Sequence, residues 1–494
     1  MRHLAGFSMG AFMMLSSGCM VGPKYSRPAP AAAPPPAFHE PPPAGWKEAQ
    51  PDEGRLRGKW WEIFGEQDLN ALEEKVSISN QNVLAAEAQF RAARDAVRIA
   101  RSNLFPTIGV GPSVSASRSG AGGTGAGTTV NNGQQQQSSS SSARGQFTLP
   151  FDFSYQADIW GSIRRTVRAN AEIAQATAAQ LENARLTFQA ELAQDYFQLR
   201  ATRSNEELLQ RTVKSYEEFL DLTQKRYNSG VASGGDVAQA ETQLYAAQTQ
   251  LVDLEIARTQ FEHAISILIG EAPAGMASSA LSNKPPPKIP VGVPSALLER
   301  RPDIAAAERQ MAAANEQIGI AKAAYFPTLN LSGTGGFSAS SFTQWLTWPS
   351  RFWTVGASAA ETLFDAGRRR AQVAQAADQY DVTIANYRQT VLTAFQQVED
   401  NLAALRVLEN EAKAQDRTVD AAERSLQIST DQYKAGTTSY LQVITSQTAA
   451  FQARRGAVDV LSRRMTASVL LIEALGGGWD ASTLPTVQSL EGSR

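Results

Sequence analysis

The chain repeats itself, and this internal repeat limits the possible folds more than any other feature. The segment Ser102–Thr107 (SNLFPT) returns at residues 323–328 (AAYFPT), 221 positions later, and Arg226–Gly230 (RYNSG) returns as Gln432–Gly436 (QYKAG), 206 positions later. The first copy therefore holds 15 extra residues, for which a Gly-, Gln- and Ser-rich tract at 119–142 offers a loop. Solenoid proteins have shorter repeats and more of them. We therefore interpret each of the two copies as one large supersecondary unit.

Each copy contains a pattern that is typical of a β-hairpin. In the first copy five apolar residues alternate with mostly polar ones, as in a strand with one apolar face: Phe147, Leu149, Phe151, Phe153 and Tyr155. Its hairpin partner is marked by Ile108, Val110 and Val114. The second copy repeats the pattern at Leu329, Leu331, Trp353, Val355, Ala357 and Ala359. Strands of about ten residues are long enough to cross a bilayer when tilted.

Very long helices are predicted after each hairpin. Residues 161–227 and 367–433 contain no proline and almost no glycine, so each segment would extend for about 100 Å as a helix. The spacing of Val391, Phe395, Val398, Leu402 and Leu405 is that of a coiled-coil seam. This spacing predicts antiparallel helices that pack side by side. The turns between them contain Gly230 and Gly436, since glycine readily adopts the left-handed conformation at a helix end.

Composition excludes several classes of function. A net charge of -2 leaves no large basic surface for nucleic acid. The three histidines and the only cysteine, Cys19, are too far apart in sequence for the ligand spacing of a metal site. No run approaches the roughly 20 apolar residues of a membrane-spanning helix, and no catalytic motif or cofactor site stands out. We therefore expect a protein that is not an enzyme.

The N-terminus resembles the signal of a secreted bacterial lipoprotein. Arg2 and His3 precede an apolar run that ends at Leu15, and small residues then lead to Cys19. In such signals the cysteine becomes the lipidated first residue of the mature chain, although Ser16 stands where leucine is usual. The alternative to lipidation is that Cys19 is merely a buried small residue near a cleaved leader. The proline-rich tract that follows predicts an extended tether.

The predicted strands need partners from other chains. Four strands with an apolar face cannot close into a barrel, and open strand edges are not tolerated in hydrocarbon. Three copies would supply twelve strands. The predicted fold class is therefore mainly α with a membrane β-barrel, in which four strands per chain join a trimeric twelve-stranded barrel. The very long antiparallel helices would form an α-barrel that continues it.

Several motifs resemble those of the TolC/OprM family of outer membrane efflux channels, and more closely its NodT-like lipoprotein branch. They are the signal ending in Cys19, Pro23–Pro28, Trp60–Phe64, Glu299–Ile304, both Phe-Pro motifs and both Tyr-x-x-Gly turns. The resemblance implies a homotrimer in outer membrane lipid, anchored through Cys19 and extending into the periplasm. It also implies a periplasmic adaptor (membrane fusion) protein and an inner membrane RND-type pump as partners.

The implied function is a passive exit duct of a tripartite efflux pump, which conducts small toxic compounds or drugs. The exit duct of a type I protein secretion system is the alternative. A periplasmic coiled-coil protein with no transport role is a more distant one. The duct hypotheses require no cofactor.

The resemblance also assigns residues to a periplasmic gate. Asp236 and Tyr433 match an aspartate and a tyrosine that link neighbouring helix tips, whereas Thr438 replaces an expected arginine. Gln442 and Thr445 stand where related pores carry acids, so we expect a weaker and more neutral gate. Asp236 could instead, or in addition, cap its helix near the N-terminus.

Two further sets of residues follow from the resemblance. The turns at Gly230 and Gly436 form the periplasmic tips that would contact the adaptor. The residues Arg300, Arg301, Pro302 and Asp303 form a structural motif of the family. A salt bridge at a helix start is the other interpretation of this motif, because proline suits the first helical turn and aspartate its positive end.

The predicted division of the chain follows from these elements. It is a signal peptide at 1–18, a lipid-anchored extended segment at 19–58, a helix at 59–106, a β-hairpin at 107–160 with an extracellular loop at 118–145, a helical hairpin at 161–270, a Pro-rich equatorial linker at 271–300, a helix at 301–326, a second β-hairpin at 327–364, a second helical hairpin at 365–476 and a tail at 477–494.

Overall fold

The computed structural model describes most of the chain. The described residues are 20–30, 35–41, 43, 58–118, 130–131, 134–135, 144–273, 275, 279–282, 284–291, 294 and 297–492. The predicted signal peptide, Cys19 and most of the predicted loop at 118–145 lie outside them.

The described residues form nine α-helices and seven strands. The helices are α1 Gln67–Ser79, α2 Gln81–Ser102, α3 Ser162–Asn228, α4 Gly234–Leu268, α5 Leu297–Arg300, α6 Pro302–Ala323, α7 Arg368–Lys434, α8 Tyr440–Ala474 and α9 Val487–Gly492. The strands are β1 Thr107–Val110, β2 Ser113–Ser117, β3 Val130–Asn131, β4 Gln134–Gln135, β5 Arg144–Ala157, β6 Thr328–Ala339 and β7 Arg351–Ala360. Within the described residues, no helix is both long and apolar enough to cross a membrane.

The duplication read from the sequence is confirmed by the helices. Helices α2 and α6 both have 22 residues and start 221 positions apart. Helices α3 and α7 both have 67 residues, α4 and α8 both have 35, and each pair is offset by 206 positions. The two copies are therefore structural equivalents, residue for residue, in these helices.

The segment before the first strand differs from the single helix expected at 59–106. It contains a 3-10 turn at Trp60–Phe64 and then two helices that are separated at Asn80. The backbone of Asn80 is extended, and its side chain accepts hydrogen bonds from the N–H groups of Asn82 and Val83, which caps α2. Its amide also donates to the carbonyl of Leu268 at 2.8 Å. The break therefore docks this segment onto the end of α4.

Both predicted hairpins are confirmed, and they form one antiparallel sheet. The strand order is β1-β5-β6-β7, with β2 also paired to β5. Strands β5 and β6 join the two copies over a long register that runs from Phe147 opposite Ala339 to Ala157 opposite Leu329. Within the part of the chain that the structure describes, the outer strands β1, β2 and β7 each pair with one neighbour, so two edges of the sheet are left unpaired there.

The sheet has one apolar and one polar face. On the apolar face Ile108 is opposite Phe153, and Leu331 lies between Tyr155 and Ala357. Apolar side chains on this face are exposed within the chain, with Ile108 at 78% and Trp353 at 79%. On the other face hydroxyl and carboxylate groups bond across strands, as between Thr334 and Asp152 at 2.8 Å.

Two irregular positions interrupt the regular strands. The partner of β5 is divided into β1 and β2 at Gly111-Pro112, since proline cannot donate to the ladder. Pro150, inside β5, faces Gly336 of β6. A Cβ on Gly336 would lie 2.0 Å from the carbonyl oxygen of Leu149, so only glycine fits opposite this proline.

The long helices pack as predicted along an apolar seam. Val391, Val398, Leu402 and Leu405 of α7 are at most 2% exposed. The seam of α4 is interrupted at Arg258, which pairs with Glu262 at 3.2 Å. The largest apolar cluster lies around Trp60, Phe197 and Leu402 and joins both copies.

Residues 20–30 run without helix or strand, as expected of an extended segment, whereas their role as a lipid-anchored tether stays a prediction. Arg27 donates to the hydroxyl of Tyr387 in α7 at 3.2 Å. Further along, the carboxylate of Glu399 accepts the backbone N–H groups of His39 and Glu40 at 2.7 and 2.8 Å. The segment is therefore bound along α7.

Candidate functional site

The tips of the two helical hairpins have the same geometry. Gly230 and Gly436 both adopt the left-handed conformation, with φ of 74° and 77°. The N–H of Val231 bonds to the Arg226 carbonyl, and that of Thr437 bonds to the Gln432 carbonyl, both at 2.9 Å. These are the 6→1 backbone hydrogen bonds of a Schellman motif, which satisfy carbonyl groups in the last turn of a helix. The two predicted turns are confirmed as helix ends.

Tyr433 connects the two tips. Its side chain is 3% exposed, and its hydroxyl oxygen lies 3.3 Å from Oγ1 of Thr223 in α3. Arg226 donates to the Tyr433 carbonyl at 2.6 Å, and its guanidinium stands 4.5 Å from the centre of the Tyr433 ring. The predicted gate tyrosine is thus held by the hairpin of the other copy.

Asp236 caps its own helix. Its carboxylate accepts the backbone N–H and the hydroxyl of Ser233, both at 2.9 Å, and the Asp236 N–H donates to the Ser233 hydroxyl at 3.2 Å. This reciprocal arrangement is a capping box, so the capping interpretation is confirmed. Within the chain Asp236 and Tyr433 do not bond to each other. A latch between neighbouring helix tips stays a prediction.

Tyr440 is a tip residue that sequence reasoning missed. Its ring lies 5.5 Å from that of Tyr433, and it is 2% exposed at the start of α8. Burial raises the pKa of its hydroxyl, and Tyr433, Tyr216 and Asp236 raise it further. The phenol therefore stays neutral. The repeat could have drawn attention to it, because the equivalent position in the first copy is Gly234.

The remaining predicted gate positions are neutral. Thr438 is half-buried in the turn, whereas Gln442 and Thr445 are exposed and lie one helical turn apart on α8.

A groove between the two turns is lined by basic side chains, namely Lys225, Arg226 and Lys434.

The Arg300–Asp303 motif holds three helices together far from the tips. Arg301 bonds to both carboxylate oxygens of Asp303, at 3.0 and 2.6 Å. It also donates to Gln397 of α7 at 2.8 Å and to the carbonyl of Ala474 at the end of α8 at 3.0 Å. Pro302 occupies the first turn of α6. The salt-bridge interpretation is therefore confirmed, with no bound partner required.

The described residues contain no group of three or more His, Cys, Asp or Glu side chains that could hold a metal ion. Cys19, the predicted lipidation site, lies just before the first described residue, Met20.

Comparison with known proteins identifies a family. The sequence model of the "outer membrane efflux protein" family matches residues 73–271 and 293–477. The chain is 30% identical to the pyoverdine export outer membrane protein OpmQ of Pseudomonas putida over 458 residues, which are 91% of this chain and 94% of the relative. It is 28% identical to the toluene efflux pump outer membrane protein TtgC of Pseudomonas putida, over 98% of this chain and 97% of that one.

A solved structure of the outer-membrane channel OprN has the same fold. It superposes with a TM-score of 0.81 at 28% identity and covers 93% of this chain and 100% of its own.

Proposed function

The chain belongs to the outer membrane efflux protein family, and on that premise we propose that it works as the exit duct of a tripartite efflux pump. The duct conducts its cargo passively from the periplasm to the outside. A periplasmic adaptor and an inner membrane RND-type transporter supply the cargo and the energy.

The observation that carries this proposal is the paired architecture of each copy. Each has a hairpin with an apolar face at one end of a 67-residue helix and a polar turn at the other end. Such a helix extends for about 100 Å. The helix is therefore long enough to connect the outer membrane with partner proteins deep in the periplasm.

The open sheet supports assembly as a homotrimer. Among the described residues the edges at β1, β2 and β7 have no further partner strand, and the exposed apolar face would contact lipid. Unpaired backbone groups are costly in hydrocarbon. Three copies joined edge to edge make a closed twelve-stranded barrel, and their helices make an α-barrel. Cross-linking of membranes should yield a trimer, and a folded monomer that conducts ions would contradict this assembly.

The cargo is a small compound, and the pump selects it. The two relatives carry the names of different compounds, pyoverdine and toluene, yet they are about equally similar to this chain, at 30% and 28% identity. Similar ducts therefore serve unlike molecules.

Complementation tests the function. A strain that keeps its adaptor and RND-type pump but lacks its own duct should accumulate a hydrophobic dye, and expression of this chain should restore dye efflux. The same cells without the pump are the control and should still accumulate dye. Restored secretion of a polypeptide through an ATP-driven system, with no effect on the dye, would favour the type I alternative.

The lipid anchor and the gate complete the proposal. Acylation of Cys19 places the N-terminus in the outer membrane. Asp236 and Tyr433 help to close the periplasmic end by linking neighbouring helix hairpins at their tips, with Lys225, Arg226 and Lys434 at the surface that meets the adaptor.

A further inference from the structure

Arg351 lies on the apolar face of the sheet, at the end of β7 that is farthest from the helices. In the strand register it is opposite Phe337, which in turn is opposite Leu149. Its Nε donates to the carbonyl of Trp348 at 3.1 Å, and its guanidinium lies over the Trp348 ring. The Arg351 side chain is exposed and forms no ion pair with any residue that the structure describes. Its orientation is therefore fixed, while its remaining N–H groups are left to bind an anion.

The residues around Arg351 are typical of a membrane surface. Phe342 and Trp348, in the turn between β6 and β7, are largely exposed, and so is Trp353 on the apolar face. Tryptophan is enriched where a membrane meets water. A charged side chain on a lipid-facing strand is costly in the middle of the bilayer but is tolerated near its surface. In the proposed membrane assembly Arg351 therefore lies at the level of the lipid headgroups.

The duplication predicts how the sheets of neighbouring chains pair. Within the first hairpin Thr107 is opposite Ser154. The residues 221 positions after Thr107 and 206 positions after Ser154 are Thr328 and Ala360, which are opposite each other in the second hairpin. The two hairpins thus have the same register. When a ring closes, β7 of one chain meets β1 and β2 of the next as β5 meets β6 within a chain, so the same offsets give the register at that junction.

The junction register brings two arginines together. Phe147 is opposite Ala339 where β5 pairs with β6. The residue 206 positions after Phe147 is Trp353, and the residue 221 positions before Ala339 is Arg118. The offsets therefore place Trp353 opposite Arg118 of the next chain, on the apolar face, with Arg351 as the diagonal neighbour of that Arg118. Diagonal neighbours in an antiparallel pair are about 7–8 Å apart, within reach of long side chains.

Exposed apolar residues at the other end of β7 support this register. Ala157 is opposite Leu329 within the chain, so the offsets place Leu363 opposite Ile108 of the next chain. Both side chains are largely exposed in the single chain, Leu363 at 90%. The register thus pairs two large apolar side chains that have no cover within one chain.

The arginine pair lies in a region without acidic residues. The sequence has no Asp or Glu at 105–151 or at 329–360. Like charges on neighbouring strands destabilise a sheet, so two arginines at this end attract an anion from outside the protein. Phosphate fits them well, because a guanidinium group binds it through paired hydrogen bonds. At the surface of a membrane, phosphate is carried by lipid headgroups.

We propose that Arg118 of one chain and Arg351 of the next bind the phosphate groups of a lipid in the outer leaflet, at each junction between chains. This inference rests on the proposed trimer in the outer membrane. Trp348 holds the Arg351 guanidinium at the headgroup. Trp353, two residues farther along the same face, lies beside the acyl chains.

The site is absent from the junction between the two copies of one chain. The equivalent positions there are neutral, namely Phe147, Ala339 and Gly145. A single chain carries Arg118 and Arg351 at opposite edges of its sheet. The lipid therefore joins two neighbouring chains, and a trimer has three sites.

Disulfide cross-linking tests the register at the junction. In a channel with Cys19→Ser, the pair Val355→Cys and Ala116→Cys should give covalent trimers on oxidation, because the offsets place these two positions opposite each other. The pair Val355→Cys and Ile108→Cys is the matched control and should not link, since its positions lie far apart along the strands. No link to Ala116, or an equal link to Ile108, would overturn the register.

Native mass spectrometry of the trimer in detergent tests lipid binding. The probe is lipid A, a phosphorylated glycolipid, and the wild-type trimer should retain up to three molecules. Arg118→Gln and Arg351→Gln should each weaken binding about tenfold, as expected when a charged hydrogen-bond partner is lost. Arg388→Gln is the control, because Arg388 is an exposed arginine of α7, away from the sheet. Equal binding by all four proteins would overturn the site.

Two further probes identify the bound group. Lipid A without its phosphate groups should bind the wild-type trimer as weakly as lipid A binds Arg351→Gln. An excess of inorganic phosphate should not displace lipid A, and displacement would assign the arginines to a free anion and overturn the lipid site. A cross-linked trimer that binds lipid A equally in every variant keeps the proposed assembly and overturns the lipid site. A protein that stays monomeric overturns the assembly itself.

Discussion

The hydroxyl oxygen of Tyr433 lies 3.3 Å from that of Thr223, on a helix of the other copy. This contact places the predicted gate tyrosine at the junction of the two helical hairpins, beside Arg226 and Tyr440. A change at Tyr433 therefore affects how the tips of the duct hold together.

We predict that Asp236→Ala and Tyr433→Phe each raise the single-channel conductance in a planar bilayer. A bond from the Tyr433 hydroxyl to the Asp236 carboxylate would be charge-assisted and worth about 1.5–3 kcal/mol if shielded from water. We also expect multivalent cations to block the pore poorly, since Gln442 and Thr445 are neutral and exposed. Tight block would reveal an acidic ring elsewhere.

Ser233→Ala separates the latch from the helix cap. It removes the hydroxyl that bonds to Asp236 but leaves the carboxylate free to reach Tyr433. Normal conductance in Ser233→Ala together with raised conductance in Asp236→Ala supports the latch. Equal increases in both would assign the effect to the cap, and unchanged conductance in Asp236→Ala and Tyr433→Phe would eliminate the latch.

Glu73 predicts a pH dependence of stability. It is fully buried in α1, and neither carboxylate oxygen has a hydrogen-bond partner among the residues that the structure describes. Burial raises the pKa of the Glu73 carboxyl well above the usual range. In the folded protein Glu73 therefore keeps its proton at pH values where the unfolded chain, with a glutamate pKa of about 4.3, has released it. Stability attributable to this group is therefore highest below that pH and falls as the pH rises toward the raised pKa.

Glu73→Leu removes the free-energy cost of burying this carboxyl group without hydrogen bonds. An unsatisfied buried group costs about 1–3 kcal/mol, so for a chain of this length the melting temperature should rise by about 1–3 °C at pH 8 and by less at pH 5. Glu74→Gln, on the exposed side of the same helix, should show no such difference between the two pH values. An equal rise in melting temperature at pH 5 and pH 8 would show that the pKa of Glu73 is not raised in the folded protein.

Cys19→Ala should abolish acyl labelling and leave most of the fold intact. The fold survives because the buried members of its largest apolar cluster begin at Trp60, 41 residues after Cys19. Membrane residence should persist in part through the sheet. Labelled fatty acid and mass spectrometry measure the first effect, and fractionation of membranes measures the second.

Excision of Gly120 to Ser140 should leave assembly and export nearly unchanged. The tract joins β2 and β5, which pair directly with each other in a continuous register from Ser113 to Ser117, and its composition cannot form a packed core. Trimer yield on a gel and dye efflux are the measurements. A variant that fails to assemble would show that the tract packs against the channel or plugs it.

The elements with a strong local pattern could be read from the sequence. The alternation at Phe147 to Tyr155 predicted a strand, and the proline-free segments predicted both 67-residue helices. The pairing of β5 with β6 has no such signal, because it joins residues about 180 positions apart through tertiary contact. The break at Asn80 was hidden by a helical pattern of apolar residues on both sides of it.

The site was less predictable than the fold. Gly230 and Gly436 were evident because their conformation requires glycine. Arg226 and Tyr440 were not, since stacking and burial at a junction of distant helices leave no periodic trace in either segment.

The pairing of Pro150 with Gly336 has a consequence for the curvature of the channel wall. Proline supplies no hydrogen-bond donor and glycine no side chain, so the two strands can bend together at this point at little cost. In the proposed ring of three copies this point would recur every fourth strand, at a single height. The wall would then have three evenly spaced places at which it can curve, and a side chain at position 336 would clash with the Leu149 carbonyl at each of them.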